Sequence, residues 1–121
     1  LSQPHLLPSI AHLPIDGVGL LRSELLIMTH LEGRHPLHWL RQGQAQELIQ
    51  RLTTTLSQLT AAFSPRPVFY RSLDLRSHEF RGLSGAVIPS ETNPLLGRHG
   101  TYSYTIDSAL FELELAVLRQ V

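Results

Sequence analysis

The longest periodic run of apolar residues lies in the middle of the chain. Apolar side chains recur there every three or four positions, separated mainly by Gln and Thr: Leu48, Ile49, Leu52, Leu56, Leu59 and Phe63. This spacing forms one apolar stripe on a helix. We predict a single helix from about Pro36 to Ala62, which Gly43 could loosen. It ends at Ser64-Pro65-Arg66-Pro67, because a residue before proline avoids the helical region.

Two short β-forming runs each end at an arginine. Residues 18–21 follow a Pro and Gly turn and predict a buried strand that ends at Arg22. Residues 68–70 predict a second strand that ends at Arg71. Ser23 is placed to cap a short helix after the first strand. Both arginines therefore stand at the C-terminal end of a predicted strand.

Helices are also predicted at the two ends of the chain. Residues 1–13 have helical spacing, but their prolines limit them to a short helix. The last helix is capped by Asp107 or Ser108, and Glu112 and Glu114 lie near its positive end. It carries two apolar stripes, one of Leu110, Leu113 and Val117, the other of Phe111, Leu115 and Leu118. Such a wide apolar arc predicts neighbours on more than one side.

The order of helix, strand, helix, strand, loop and helix indicates an α/β fold with parallel strands. Residues 72–106 have little periodicity, and a loop this long is usually functional. Within it, Tyr102 and Tyr104 alternate with small polar residues and predict a short extended segment. Two strands leave faces and edges uncovered. We therefore expect residues 1–121 to form a single partial domain of a larger architecture.

Composition excludes several classes of function. The chain has 121 residues, ten basic and ten acidic, and the zero net charge argues against binding to nucleic acid. It has no Cys, which excludes disulfides, thiolate zinc sites and cysteine nucleophiles. No run reaches the roughly 18–20 apolar residues of a membrane helix. The start at Leu1, without an initiator Met, suggests a processed product or a piece of a longer protein.

Arg22 and Arg71 are the leading candidates for chemistry. Ligands in α/β folds bind beyond the C-terminal ends of the strands, so the two arginines would converge on one phosphate or carboxylate. The alternative is that both are paired with their sequence neighbours Glu24 and Asp74. Residues 91–100 contain Asn-Pro and two glycines, and form either a turn that cups an anion or a plain surface turn.

Other polar and aromatic residues have simpler interpretations. Three histidines close together suggest a metal site, but their spacing fits no standard zinc signature, so we predict a solvated loop: His30, His35 and His38. His78 is predicted on the loop surface. Trp39 and Tyr70 are predicted to pack in the core or against a helix rather than to stack on a ligand.

Three segments resemble the phosphoenolpyruvate-utilising enzymes. Residues 16–24, DGVGLLRSE, resemble the "DGIGLLRTE" strand of that family. Residues 68–80, VFYRSLDLRSHEF, resemble its "V-x-x-R-x-x-D-x-x-S-x-E-[YF]" strand and loop. Residues 93–100, NPLLGRHG, are similar to its "NPMLGFRG" turn. The order and spacing also match, and the Ser-x-Glu-aromatic ending is most similar to the phosphoenolpyruvate synthase (pyruvate, water dikinase) branch.

The resemblance implies a fold and a site. The motifs belong to a C-terminal (β/α)₈ TIM barrel that binds phosphoenolpyruvate (PEP) or pyruvate, and this chain would supply only the early βα units. Arg22 and Arg71 would contact the phosphate or carboxylate of the substrate, with Glu24 and Asp74 orienting them. The family's third arginine aligns with His99. A histidine cannot bind an anion through two parallel N–H donors as an arginine does. Arg98 could substitute only if the turn shifts by one residue.

The parent enzyme implied by the resemblance is a cytoplasmic transferase, with kinase chemistry, that converts ATP, pyruvate and water into PEP, AMP and phosphate. Its Mg²⁺ ligands, its ATP-binding domain and its phosphohistidine domain would lie outside this chain. The chain alone is therefore expected to be inactive, and to form homo-oligomers that cover its edges. Two alternatives are a degenerate homologue whose barrel binds a ligand or partner without catalysis, and a free-standing interaction module.

Overall fold

The computed structural model describes residues 3–86 and 91–121. Within them the chain order is α1 (Leu7–Ile10), β1 (Val18–Arg22), α2 (Ser23–His30), α3 (Pro36–Arg41), α4 (Ala45–Phe63), β2 (Val68–Arg71), α5 (Gly100–Ile106) and α6 (Ala109–Leu118). Short 3₁₀ turns cover Pro4–Leu6, Ser77–Phe80 and Pro94–Leu96. The predicted mixture of helices and strands is confirmed, and the described part of the N-terminal segment is a short helix as expected.

The two strands pair in parallel, as predicted. Val18 N–H donates to the Pro67 carbonyl at 2.8 Å, at the start of the pairing. The register is irregular between Val18 and Leu21 and then aligns Leu21 with Tyr70. At the far end Arg22 is aligned with Arg71. The sheet therefore brings the two strand-ending arginines side by side.

The core lies between the sheet and the helices α2, α4 and α6. The apolar stripe predicted for α4 is buried throughout: Leu48, Ile49, Leu52, Leu56, Leu59 and Phe63. α4 packs against α2 and α6, and α6 adds Leu113 and Val117. Full burial of each such side chain stabilises the fold by about 1.5–3 kcal/mol. Leu118, on the other predicted stripe of α6, is exposed.

The prediction of one helix from Pro36 to Ala62 is wrong, because the chain breaks it into α3 and α4. Gly43 has φ +71°, a left-handed conformation that ends helices. The Gly43 and Gln44 amides bond back to the carbonyls of Leu40 and Trp39. Trp39 is fully buried, and its Nε1–H donates to the Leu31 carbonyl at 3.1 Å, so its packing role is confirmed.

The extended segment predicted around Tyr102 and Tyr104 is also wrong, since both residues lie in α5. The Tyr104 ring stacks on Phe111 of α6 with the centroids 4.3 Å apart. Its hydroxyl donates to the Leu73 carbonyl at 2.8 Å. These contacts with other elements override the local alternation of apolar and polar residues. Residues 87–90 of the predicted loop lie outside the described residues.

The helix caps differ in part from the predictions. Ser23 is the first residue of α2 rather than its cap, a position that Arg22 occupies. Before α6, the Asp107 carboxylate accepts from the Ala109 amide at 3.1 Å. The Ser108 hydroxyl instead donates to Glu112 at 2.6 Å. Ser108 therefore occupies the N-cap position of α6 but makes no capping bond with its side chain, and Asp107, one residue earlier, satisfies the amide of the first helical residue instead.

Candidate anion-binding site

Arg22 and Arg71 share one surface pocket at the C-terminal ends of the strands. Both residues are exposed, and they end paired parallel strands at aligned positions. The pocket has a volume of about 470 Å³ and is also lined by Glu24, Leu25, Met28, Asp74, Leu75 and Glu79. Two guanidinium groups in one pocket can both donate to a small anion, which is the convergence that the sequence pattern predicts.

Arg71 is held by a carboxylate from a different element. Its Nη2 donates to Glu24 Oε1 at 2.5 Å, and the same oxygen accepts from the Asp74 amide at 3.3 Å. The Glu24 side chain is only 13% exposed, whereas that of Arg71 is 44% exposed. The pairing of each arginine with its own sequence neighbour is therefore not what the fold produces. Within residues 3–86 and 91–121, Arg22 makes no ion pair.

Asp74 is predicted to orient an arginine, but its carboxylate bonds to a backbone amide instead. Its Oδ1 accepts from the Gly100 amide at 2.7 Å and lies 3.7 Å from His99 Nδ1. Gly100 has φ +56°, a conformation that favours glycine. Asp74 thus attaches the Asn-Pro turn to the end of β2. His99 lies beside Asp74 and is not one of the residues that line the pocket.

Arg98 does not join the candidate site. It is exposed, and its backbone amide donates to Glu91 Oε1 at 2.9 Å within the turn. Neither its side chain nor that of His99 is among the pocket-lining residues. Of the six predicted site residues, four line the pocket: Arg22, Arg71, Glu24 and Asp74. The other two, His99 and Arg98, lie outside it.

Each carboxylate of the pocket accepts at least one hydrogen bond from the protein, although Glu24 Oε2 is buried and has no partner among the described residues. Glu24 accepts from Arg71, Asp74 accepts from the Gly100 amide, and the third carboxylate, Glu79, accepts from the Arg76 amide at 2.7 Å. A guanidinium carries five N–H donors, and a single one of Arg71 donates to Glu24. Donors of both arginines are thus available to an incoming anion.

One functional candidate, Glu114, is missing from the sequence-based set. It is 1% exposed and lies in the middle of α6, so the prediction that it lies near the positive end of the helix is wrong; Glu112 is the acid in the first turn. Its Oε1 accepts from the Tyr70 hydroxyl at 2.6 Å, and both its oxygens accept from the Leu73 amide. Burial raises the pKa of the Glu114 carboxyl and of the Tyr70 phenol. The sequence signal is weak: a Glu between two leucines on an otherwise apolar arc.

The histidines do not form a metal site. Among the described residues, no three His, Asp or Glu side chains converge into a metal-binding group. The solvated-loop prediction is wrong for His35, which is 7% exposed and whose Nδ1 accepts from the Leu37 amide at 3.1 Å. His30 lies 2.9 Å from the Thr55 hydroxyl. His78 is half-buried in a 3₁₀ turn rather than on an open loop.

No helix within the described ranges is long and apolar enough to cross a lipid bilayer.

Comparisons with known proteins identify the family. The sequence model described as "PEP-utilising enzyme, PEP-binding domain" matches residues 1–121. The chain is 36% identical over 121 residues to phosphoenolpyruvate synthase of Pyrococcus furiosus, and the aligned region covers 99% of this chain and 15% of that protein. It is 37% identical to a probable phosphoenolpyruvate synthase of Pyrococcus horikoshii, covering 99% of this chain and 14% of that protein. Phosphoenolpyruvate synthase of Aeropyrum pernix is 31% identical over 126 residues, covering all of this chain and 15% of that protein.

The chain therefore spans about 15% of the length of the curated relatives it matches. The resemblance seen in the three sequence motifs is confirmed, and it extends over the whole chain. This chain belongs to the family of PEP-utilising enzymes, whose PEP-binding domain it matches over residues 1–121.

Proposed function

We propose that the chain forms the early βα units of a (β/α)₈ barrel in a phosphoenolpyruvate synthase, and that it binds PEP or pyruvate between Arg22 and Arg71. The observation that carries this proposal is the register of the parallel sheet, which aligns the two arginines on one pocket. The similarity to phosphoenolpyruvate synthases supports the class of substrate. The 15% coverage of those relatives supports a longer parent enzyme.

The chemistry of the pocket suits a small acid with more than one anionic group. Each guanidinium can bind a phosphate or carboxylate through two N–H donors, and such charge-assisted bonds are about twice as strong as neutral ones. Glu24 holds Arg71 from the α2 side, which limits the freedom of its side chain. An arginine that is already ordered loses less entropy when an anion binds.

In this proposal the chain contributes electrostatic stabilisation to the reaction of its parent. The parent converts ATP, pyruvate and water into PEP, AMP and phosphate, and the phosphoryl group reaches pyruvate from a phosphohistidine on another domain. Arg22 and Arg71 hold the anionic groups of the substrate and offset the charge on the moving phosphoryl group. ATP and the phosphohistidine belong to other domains of the parent.

Among the described residues, no three acidic or histidine side chains converge on one point. Asp74 and Glu79 line the pocket but accept from backbone amides instead. We assign no step to a metal on this chain, and Mg²⁺ in the parent would be bound by residues elsewhere.

The test is the affinity of the full-length protein for PEP, measured by isothermal titration calorimetry. Loss of one charge-assisted contact costs about 1.5–3 kcal/mol, so Arg71→Ala and Arg22→Ala should each weaken binding by about 10- to 100-fold. Arg119→Ala, on the exposed end of α6, is the matched control and should leave the affinity unchanged. An unchanged affinity in Arg71→Ala would rule out the proposal.

A second candidate function follows from His99. Because the family has an arginine at this position, the parent could be a degenerate homologue that binds a ligand without turnover. His99 lies close to Asp74 rather than on the pocket. His99→Arg in the parent separates the two functions: a large gain in turnover indicates a decayed site, and no gain indicates a pocket that works with His.

A further inference from the structure

The buried carboxylate of Glu114 attaches α6 to the end of β2. No ion pair of Glu114 is found within residues 3–86 and 91–121, and its donors are the Tyr70 hydroxyl and the Leu73 amide. A buried carboxylate is expensive to desolvate unless hydrogen-bond donors compensate it, and here the Tyr70 hydroxyl and the Leu73 amide do so. Packing of α6 alone therefore does not explain an acid at this position.

The two donors flank Arg71 along the chain. Tyr70 precedes it, and Leu73 follows two residues later. Between them, the Tyr104 hydroxyl of α5 reaches the Ser72 hydroxyl at 2.9 Å and the Leu73 carbonyl at 2.8 Å. The Tyr70 side chain before Arg71 and the Leu73 backbone after it are thus attached to the two C-terminal helices, while Glu24 holds the Arg71 guanidinium.

We propose that Glu114 is a positioning residue that sets the place of Arg71 by fixing Tyr70 and Leu73 on either side of it. This inference rests on the proposed binding of PEP at Arg71. Glu114 is not one of the residues that line the pocket, and its side chain is fully buried. Displacement of a binding group by a fraction of an ångström is enough to weaken binding measurably.

A purely structural role would also lower stability when Glu114 is replaced, so stability alone does not test the inference. The discriminating measurement is a double-mutant cycle in the full-length protein, with PEP affinity from calorimetry and thermal unfolding recorded in parallel. Glu114→Met removes both acceptor oxygens at similar side-chain length. Glu112→Met is the matched control, because Glu112 is exposed on the same helix and bonds only to Ser108.

Glu114→Met should weaken PEP binding by about ten-fold, and Glu112→Met should not. Glu114→Gln retains an acceptor and should restore part of the affinity. In the Arg71→Ala background, Glu114→Met should have no further effect on affinity while lowering the unfolding temperature by the same amount as before. This combination separates positioning of Arg71 from general stability.

The inference is overturned if Glu114→Met leaves the affinity unchanged, or weakens it equally with and without Arg71. An unchanged affinity in Arg71→Ala alone would instead overturn the proposed function, and this inference with it. If Glu114→Met does not fold, Tyr70→Phe takes its place in the cycle, because it deletes only the hydroxyl that donates to Glu114. Tyr70→Phe should weaken PEP binding by about three-fold. If it weakens PEP binding equally in the Arg71→Ala background, the inference is overturned as well.

Discussion

Gly17 fixes the start of the strand pairing that aligns the two arginines. It has φ +154°, a conformation that side chains other than glycine rarely adopt. A Cβ added there would meet the Pro67 carbonyl oxygen at less than contact distance. That oxygen cannot move away freely, because it accepts the 2.8 Å hydrogen bond from the Val18 amide. Gly17→Ala should therefore disrupt the first contact between β1 and β2.

The size of the effect follows from two costs. A residue forced into a sparsely populated backbone region costs about 1–3 kcal/mol, and overpacking against a fixed neighbour costs about 1–3 kcal/mol. We expect a combined loss of about 3 kcal/mol in the local free energy of opening. Gly19→Ala, two residues later and within β1, is the matched control, since a Cβ there meets nothing within 4 Å.

Hydrogen exchange followed by mass spectrometry measures this local free energy on peptides that cover β1 and β2. About 3 kcal/mol corresponds to exchange that is roughly 100-fold faster in Gly17→Ala. Gly19→Ala should change exchange by less than about five-fold, because an unstrained Gly→Ala change alters stability by about 0.4–1 kcal/mol. Equal exchange rates in the two variants would refute the steric reasoning.

Three further predictions concern other parts of the chain. Arg66 donates to the Ala11 carbonyl at 2.7 Å and to two more carbonyls in residues 11–15. Arg66→Ala should therefore loosen residues 11–15 and speed the hydrogen exchange of their amides by about ten-fold, and an unchanged exchange rate would contradict this prediction. Burial, with a smaller contribution from a nearby guanidinium, lowers the pKa of His35 below 6.5, so its neutral form caps α3. This contribution is complete above the unfolded pKa and is lost as pH falls below about 6.5. The protection factors of the α3 amides, which are exchange rates relative to those of an unfolded chain at the same pH, should therefore be lower at pH about 5.5 than at about 7.5, and His35→Asn should abolish the difference. Leu20 and Phe69 on the two strands are 44% and 63% exposed, so the 121-residue chain alone should self-associate, and light scattering that shows a compact monomer would contradict this.

The sequence predicts the parts of the fold that depend on local pattern. The stripe on α4 has one clear period, and the runs before Arg22 and Arg71 are short, apolar and β-forming. Their parallel pairing follows from the order of elements along the chain. Motif resemblance adds the family, which the comparison over the full chain confirms.

Contacts between distant elements are beyond what local pattern predicts. Glu24 lies in the first turn of α2, directly after β1, and pairs with Arg71, 47 positions away along the chain, because β1 and β2 lie side by side. The sequence does not predict the burial of Glu114, because the apolar arc of α6 is too wide to show which side of the helix faces the core. Tyr104 joins a helix because its hydroxyl and ring find partners in Leu73 and Phe111. Each of these depends on tertiary geometry that spacing does not encode.

A crystal structure of the full-length protein with bound PEP tests most directly whether Arg22 and Arg71 act on one anion. We predict that both guanidinium groups donate to the same PEP molecule at about 2.7–3.2 Å. PEP bound at another place, or either arginine directed away from it, would contradict the account.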